Sequence, residues 1–304
     1  RTVDGLGIYM SDEETRLFKA VRRYLLEGTN QIGKPGSRER NLAQFIVMLL
    51  NKRLLSSSYA FAQTWWNHVA GFDLDSFGID EADESRKRAQ TEIENDEEKD
   101  LREYDAARHG AGWLRQYRNE LVPYLDEVSA ELNRLGWGRR VIEQEISLCK
   151  DFPKDTRFER LYQWISEYLM EGKKFKDDER VIIFTEYKDT LDYLVARLKE
   201  KKIEFPIVHL LYGGADAKIR REVKENFNDL TSPLRILIAT DAAAEGLNLQ
   251  TSCRYLIHQE IPWNPMRLEQ RNGRVDRHGQ SRDVFVWHFV SDQVEDLKFL
   301  DFIT

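Results

Sequence analysis

The sequence predicts an α/β fold in which a doubly wound parallel sheet over residues 151–304 follows an all-helical accessory region over residues 1–150. Three observations support this prediction. Short, continuously apolar runs in the second half, such as residues 181–184, are typical of strands buried on both faces of a parallel sheet. Segments of helical periodicity alternate with these runs, as they do when helices connect parallel strands. In the first half, apolar residues recur at helical spacing.

The first predicted helix spans residues 11–27. Ser11 is suited to cap its N-terminus, Glu14 completes a capping box, and Gly28 ends the helix. The other helices predicted in the first half span residues 39–57, 59–69, 113–135 and 141–148. Between them, residues 80–108 carry dense charge of both signs and almost no large apolar side chain. This segment is therefore expected to be either a solvent-exposed helix or partly disordered, with little to contribute to a core.

The second half alternates the two element types. Predicted strands span residues 181–184, 207–211, 234–239, 255–258 and 284–290. Predicted helices span residues 157–171, 189–200 and 216–227, and a further helix carries the arginines near residue 271. In a doubly wound sheet, ligands bind at the carboxyl ends of the strands. The residues that follow each strand are therefore the candidates for function.

Composition excludes several classes of protein. The chain has 304 residues, 33% of them charged, a net charge of −7 and no apolar stretch long enough to cross a bilayer, so an integral membrane protein is excluded. Cys149 and Cys253 form no disulfide framework, and neither they nor the six histidines have metal-ligand spacing, so no metal site and a reducing cytoplasm are expected. The acidic balance argues against a general nucleic-acid coat protein, but it permits a local basic groove.

Polar and small residues follow three of the strands. Thr240 and Asp241 leave one strand ahead of a run of alanines, Thr185 and Glu186 leave another, and Gly213-Gly214 follows a third. A glycine or a polar pair at such a position permits close approach of a ligand to the backbone. Each pattern has an ordinary structural explanation as well, since Thr-Asp often caps a helix and a glycine pair often satisfies a turn.

Three arginines recur at a spacing of three residues around one glycine. Arg271, Arg274 and Arg277 lie within the run EQRNGRVDRHGQ, and this spacing is able to put several guanidinium groups on one side of a short helix or turn. A guanidinium is always charged and presents a planar fork of donors, which suits the charge that develops on a transferring phosphoryl group. On spacing alone, a solvated basic helix explains the run equally well.

The order of these motifs resembles a known family. The succession VIIFTEY, LYGG, ILIATDAAAEGLNL, IPWNP and EQRNGRVDRHGQ is similar to the second RecA-like lobe of superfamily-two helicases. It resembles the Swi/Snf-type ATPases most closely, and in particular the bacterial RapA-like branch. The motifs cover about residues 158–291. The resemblance implies a RecA-like sheet and an ATP-dependent enzyme that moves along double-stranded DNA.

The resemblance also implies roles for single residues. Arg274 and Arg277 would be the catalytic arginine fingers that face the γ-phosphate of ATP, with Arg277 as the first choice. The residues near the nucleotide would be Glu245, Gly246, Asn248 and Gln270. The residues beside the nucleic-acid backbone would be Thr185, Glu186, Gly213, Gly214, Thr240 and Arg271. Arg271 has the alternative role of bracing the motif. Contacts to phosphates and not to base edges imply binding without sequence preference.

The sequence departs from the family pattern in two ways. The TDAAAEGLN motif differs from the Thr-Arg-Ala-Gly-Gly type of many eukaryotic remodellers, which points to the bacterial branch or to general superfamily-two helicases. The chain also contains no Gly-x-x-x-x-Gly-Lys-Ser/Thr phosphate loop and no Asp-Glu metal-binding box. We therefore expect a fragment of a larger polypeptide whose first RecA-like lobe holds most of the ATP and Mg²⁺. The chain alone is expected not to hydrolyse ATP.

These inferences lead to one function with two alternatives. The chain is expected to be the C-terminal motor lobe of a DNA translocase, partnered by double-stranded DNA, by its own first lobe and by RNA polymerase or another protein complex, in a nucleoid-associated cytoplasmic setting. The alternatives are a lobe of a strand-separating DNA or RNA helicase and a catalytically degenerate scaffold. Residues 1–150 would be a linker and a helical protrusion that acts as a partner-facing arm or, the interpretation slightly favoured, as a stabilising cap.

Overall fold

A computed structural model describes residues 1–28, 32–33, 37–73, 77–244 and 246–293. These residues form two compact units. The sheet unit contains Arg1–Tyr9, Glu94–Asp96 and the described residues from Asp155 onward, and the helical unit contains Met10–Ile93 and Glu97–Lys154. Two short segments of the first half thus belong to the sheet unit, in addition to the stretch expected from residue 151.

The sheet unit is built on a six-stranded sheet whose strand pairs are all parallel. The spatial order is β1-β8-β7-β4-β6-β5. The strands are β1 (Thr2–Gly7), β4 (Val181–Thr185), β5 (Val208–Leu211), β6 (Ile236–Thr240), β7 (Tyr255–His258) and β8 (Phe285–Val290). Two further short strands, β2 (Met170–Glu171) and β3 (Lys174–Phe175), pair with each other in an antiparallel hairpin. The predicted α/β class with a parallel sheet is confirmed.

Five helices belong to the sheet unit. They are α8 (Thr156–Leu169), α9 (Lys188–Glu200), α10 (Ala217–Asn228), α11 (Asp241–Ala244) and α12 (Pro265–Asn272). The central strands β4 and β6 are buried along their whole length, as their unbroken apolar sequences require. One core cluster includes Ile182 and Phe184 of β4, Leu237 of β6 and Leu256 of β7. Because the strands are parallel, the chain leaves all of them at the same edge of the sheet, which we call the carboxyl edge.

Strand β1 was not expected from the sequence. It forms one edge of the sheet beside β8, with Thr2 opposite Phe285 and Gly7 opposite Val290. Five of its six residues are exposed, and only Leu6 is buried. The strand therefore lacks the apolar pattern by which a strand is recognised, and backbone hydrogen bonds hold it in place, including Thr2 N–H to the Val284 carbonyl at 2.8 Å.

The helical unit contains seven α-helices within its described residues, and a π-helical turn (Tyr24–Gly28) follows the first of them. They are α1 (Asp12–Arg23), α2 (Arg38–Ser56), α3 (Ser58–Asp73), α4 (Ile79–Gln90), α5 (Asp96–Leu114, of which Asp96 belongs to the sheet unit), α6 (Arg118–Leu135) and α7 (Arg139–Ile142). The Ser11–Glu14 capping box of α1 is present. The helix expected over residues 113–135 is interrupted by a 3₁₀ turn at Arg115–Tyr117. The helix expected over 141–148 is reduced to α7 and a second 3₁₀ turn.

The charged segment 80–108 packs more closely than its composition suggested. It contributes most of α4 and α5, and several of its carboxylates are buried. Arg53 of α2 is fully buried and donates to Asp100 at 2.8 Å and to Glu103 at 2.7 Å. These ion pairs allow charged side chains to take interior positions that apolar residues would otherwise fill. The expectation that the segment contributes almost nothing to a core is therefore wrong.

None of the helices within the described ranges combines the length and the apolar character that crossing a membrane requires.

Candidate functional site

The predicted strand exits converge at the carboxyl edge. Thr185, the last residue of β4, lies opposite Thr240, the last residue of β6, in the parallel register. The exit of β7 follows on the other side of β4, and the exit of β5 lies next to β6. Because four neighbouring strands end here, polar residues that are far apart in the sequence meet along one line.

Glu260 ties the exits of β4 and β7 together. It lies two residues after β7, where its carboxylate accepts a hydrogen bond from the Thr185 hydroxyl at 2.9 Å and another from the Glu186 backbone N–H. Thr185 is fully buried and Glu186 nearly so. This arrangement differs from the expectation that both residues line a nucleic-acid track. In this structure both residues help to stabilise the carboxyl edge, because the Thr185 hydroxyl donates to Glu260 and neither residue is open to solvent.

Arg271 is buried and bound by protein groups. It is 2% exposed, and its guanidinium forms a bidentate pair with Asp241 at 2.5 and 2.8 Å. A third bond joins it to the Glu260 backbone carbonyl at 3.0 Å. Burial opposes the charge on Arg271, but the Asp241 carboxylate raises the pKa of the guanidinium above its ordinary value. These partners are all protein groups, and the nucleic-acid contact and the bracing role both stay predictions for Arg271.

The three arginines do not share one face. Helix α12 ends at Asn272, so Arg271 lies inside the helix whereas Arg274 and Arg277 follow it in turns. Arg274 is half-buried and Arg277 is exposed. The equal spacing in the sequence thus predicts nothing about a common orientation, because helical geometry stops between the first arginine and the second.

Arg277 connects the two segments that were expected to face a nucleotide. Its guanidinium donates to the side-chain oxygen of Asn248, and both residues are exposed. The backbone adds a second link, because Leu249 N–H donates to the Arg274 carbonyl at 3.1 Å. Gly246 lies two residues before Asn248 with a φ of +76° and open space on the side where a Cβ would lie. Exposed donors and accessible backbone therefore occur together around Arg277 and Asn248.

Two further residues of the predicted site are Gln270 and Glu245. Gln270 is exposed on α12, one residue before the buried Arg271. Glu245 lies outside the described residues. Of the residues predicted to face a nucleotide, the structure thus describes Gly246, Asn248, Gln270, Arg274 and Arg277.

The Gly213-Gly214 loop forms a turn beside the exit of β6. Gly214 has a φ of +94°, a conformation that favours glycine and that a turn requires. The Gly213 backbone N–H donates to the Asp96 carboxylate at 2.5 Å and lies 3.3 Å from the Thr240 hydroxyl oxygen. The Thr240 hydroxyl donates to the same oxygen of Asp96 at 2.5 Å. Gly213 and Thr240 thus form a pair of donors directed at one anionic oxygen.

A buried histidine supports the arginine helix. His258, the last residue of β7, is 1% exposed, and its Nε2 lies 3.0 Å from the side-chain oxygen of Asn272. Burial, reinforced by the charge of Arg271, holds the pKa of His258 well below its ordinary value. The ring is therefore neutral near pH 7 and helps to fix the end of α12 without adding a second positive charge beside Arg271.

The sequence analysis missed three residues of this region. Glu260 follows a strand, and the rule that pointed to Thr185 and Thr240 would have found it. Asp241 was noted only as part of a motif, although its partner Arg271 is thirty residues away. Asp96 lies in the charged segment, and nothing in its local sequence indicates a position at the carboxyl edge.

Carboxylates at the edge are paired with protein groups. In the part of the chain that the structure describes, no group of three or more His, Cys, Asp or Glu side chains could hold a metal ion. Asp241 bonds to Arg271, and Glu260 bonds to Thr185 and the Glu186 backbone. The described residues therefore do not fit Mg²⁺, whereas the exposed Arg277 and the open Gly246 fit the phosphates of a nucleotide.

Comparison with known proteins agrees with this organisation. Residues 158–279 match the family described as the helicase conserved C-terminal domain. The uncharacterized ATP-dependent helicase YqhH of Bacillus subtilis is 42% identical over 117 residues, which are 38% of this chain and 20% of that protein. The SNF2 domain-containing protein CLASSY 4 of Arabidopsis thaliana is 31% identical over 115 residues, which are 37% of this chain and 10% of that protein.

Two further similarities concern a relative and a fold. The DNA repair protein RAD5B of Arabidopsis thaliana is 30% identical over 153 residues, 50% of this chain and 11% of that protein. The chain thus spans 20% or less of the length of these relatives. A crystal structure of the C-terminal part of the Fun30 ATPase domain covers 99% of this chain with a TM-score of 0.54 at 15% identity, and 88% of that structure is matched. This likeness shows the fold.

Proposed function

We propose a function from the premise that residues 158–279 form a helicase conserved C-terminal domain whose homologues are Snf2-family ATP-dependent helicases. This chain is the C-terminal motor lobe of an ATP-dependent double-stranded-DNA translocase. The observation that supports this most is the bond between Arg277 and Asn248. It joins the two segments that each carry a proposed nucleotide-facing role, and it leaves both side chains accessible.

The proposed contact with the nucleotide depends on which arginines are already neutralised by other groups of the protein. Arg271 is neutralised by Asp241 and serves as the fixed base of the motif. Arg277 is exposed and its side-chain partner, Asn248, is a neutral amide, so its charge is still available to a phosphate. A phosphoryl group in transfer spreads negative charge over three oxygens, which a planar guanidinium stabilises. Arg277 is the proposed arginine finger, assisted by Arg274.

ATP would supply the phosphoryl group, and a first lobe would hold most of it together with Mg²⁺. The residues of this chain that would meet it are Gly246, Asn248, Gln270, Arg274 and Arg277. When the two lobes close, Arg277 would reach the γ-phosphate, and when they open it would withdraw. Each cycle would let the lobe release the DNA backbone and bind it again further along.

The nucleic-acid side of the proposal rests on the donors at the exits of β5 and β6. The Gly213 N–H and the Thr240 hydroxyl point at a common oxygen position. Backbone amides and hydroxyls are ordinary ligands of DNA phosphates, and such contacts carry no sequence information. Gly214 would act through its backbone as part of the same loop, while Thr185, Glu186 and Arg271 would support the edge from inside.

The test is the substitution Arg277→Ala in a polypeptide that also contains the first lobe. We expect DNA-stimulated ATP hydrolysis to fall by about a thousandfold, the scale on which arginine fingers contribute to turnover. Duplex-DNA binding should stay within about twofold, because Arg277 has no proposed role in that contact. Arg140→Ala is the matched control, since Arg140 is an exposed arginine of the helical unit. Undiminished turnover by the Arg277 variant would refute the proposal.

A further inference from the structure

A three-residue segment of the charged region lies within the sheet unit. Glu94–Asp96 belongs to that unit, whereas its neighbours in the sequence, Ile93 and Glu97, belong to the helical unit. Asp96 is 3% exposed. A buried carboxylate needs partners, so the bonds that Asp96 makes explain why this segment is held where it is.

The partners of Asp96 are the donors proposed to bind the DNA backbone. One oxygen, Oδ2, accepts from the Gly213 N–H and from the Thr240 hydroxyl, each at 2.5 Å. The Asp96 backbone N–H donates in return to the Gly213 carbonyl at 3.2 Å. A single anionic oxygen therefore receives both donors, as the oxygen of a phosphate would.

The same segment also fills the space in front of the loop. A Cβ placed on Gly213 would lie 1.8 Å from the Glu94 carbonyl oxygen, and one placed on Gly214 would lie 3.1 Å from the side chain of Asn95. Gly213 is buried although it belongs to a loop after a strand. A phosphate could not reach the Gly213 N–H while Glu94–Asp96 stays in this position.

We propose that Asp96 is an internal phosphate mimic that closes the Gly213–Thr240 site until DNA displaces it. The inference rests on the proposed function, since it takes these two donors to be a contact for the DNA backbone. It adds a competitor from the same chain. A carboxylate and a phosphate oxygen are both anionic acceptors for the same hydrogen bonds, so one excludes the other. The free chain is accordingly held in a state of reduced affinity for duplex DNA.

The test compares two variants of the full chain that lose the same charge from the same segment. Asp96→Asn removes the anionic acceptor, while Glu94→Gln removes a carboxylate whose side chain is exposed. The probe is a short fluorescein-labelled DNA duplex, and its affinity is measured by fluorescence anisotropy at one fixed salt concentration. We expect Asp96→Asn to bind about tenfold more tightly than the unaltered chain, the factor that a hydrogen bond to a charged group typically contributes.

The control separates direct competition from a general change in charge. Glu94→Gln should stay within about twofold of the unaltered chain, because one exposed charge changes affinity for DNA only weakly when salt screens it. Equal affinities for the two variants would overturn the inference while leaving the proposed function standing. If none of the three proteins binds duplex DNA, the proposed function itself fails and the inference fails with it.

A measurement on the unaltered chain covers the case in which the Asp96 variant does not fold. Hydrogen exchange at the Asp96 amide reports directly on the bond to the Gly213 carbonyl. Saturating duplex DNA should raise the exchange rate at this amide by about tenfold or more, because displacement breaks that bond. An Asp96 amide that stays equally protected at saturating DNA would overturn the proposal.

Discussion

The arginines that precede the strands of the sheet differ from Arg277, in the turns after α12, in the partners that they have. At the amino edge, just before strands β4, β6, β7 and β8, stand Arg180, Arg235, Arg254 and Arg282. Their guanidinium groups are bound by protein: Arg180 by backbone carbonyls, Arg235 by carbonyls and Asp177, and Arg254 and Arg282 by Glu179. In the turns after α12, by contrast, Arg277 is exposed and bonded to a neutral amide.

This difference separates arginines whose donors are occupied by protein groups from an arginine that is exposed. An arginine whose donors are all taken by carbonyls or carboxylates has no capacity left for a ligand. Arg271 shows that both kinds occur within one motif, since it is as fully bound as Arg180 although it lies six residues from Arg277. The position in the motif therefore does not decide which partners an arginine has.

The largest effect on stability is expected from Arg271→Ala. The change would leave Asp241 and Glu260 without their buried positive partner, and removing one member of such a pair typically costs about 3–5 kcal/mol. We expect the free energy of unfolding, measured by urea denaturation, to fall by about 4 kcal/mol. Arg271→Lys should recover little of this, because an ammonium group cannot form the bidentate pair with Asp241. Full recovery by lysine would show that only charge matters at this position.

A somewhat smaller effect is expected from Arg180→Ala at the amino edge. This side chain donates to four backbone carbonyls between 2.6 and 3.3 Å, those of Leu234, Phe227, Asp229 and Ser232. Losing them leaves buried acceptors unsatisfied, and we expect a loss of about 3 kcal/mol. Arg277→Ala is the matched control and should change stability by less than about 0.5 kcal/mol, as exposed substitutions usually do. An equal loss in the free energy of unfolding for Arg180→Ala and Arg277→Ala would contradict this contrast between bound and exposed arginines.

The same regions show which features of the structure could be predicted from the sequence. The apolar runs of β4 and β6 predicted buried parallel strands, and they are buried because no polar residue interrupts them. Strand β1 escaped prediction because its side chains are mostly exposed and backbone pairing alone positions it. Arg271 and Arg277 looked alike in the sequence, since the carboxylate that distinguishes them, Asp241, is contributed by another strand exit. Asp96 was hidden for the same reason, because its partners lie more than a hundred residues away.

The smallest effect concerns pH. Burial and the neighbouring Arg271 hold the pKa of His258 well below the value of about 6.5 that an unfolded chain would show. The unfolded state therefore binds a proton first as the pH falls, so His258 lowers stability between about pH 6.5 and its depressed folded pKa.

Acidification from pH 6.5 to pH 5.5 should therefore lower the free energy of unfolding by roughly 1 kcal/mol through His258. The measurement is urea denaturation at both pH values, for the unaltered chain and for His258→Gln. On acidification, the free energy of unfolding of the glutamine variant should fall less than that of the unaltered chain, and the difference should equal the contribution of His258. An identical loss in the two proteins would mean that His258 is not held neutral by its surroundings.

The central claim is that Arg277 acts in the transition state and not in simple nucleotide binding. The most direct test is the steady-state kinetics of Arg277→Ala in a polypeptide containing both lobes, with ATP varied at saturating duplex DNA. A group that stabilises only the transition state lowers kcat and leaves KM nearly unchanged. We predict a kcat reduced by about a thousandfold with KM within about threefold of the unaltered enzyme. A raised KM with kcat unchanged would contradict the account.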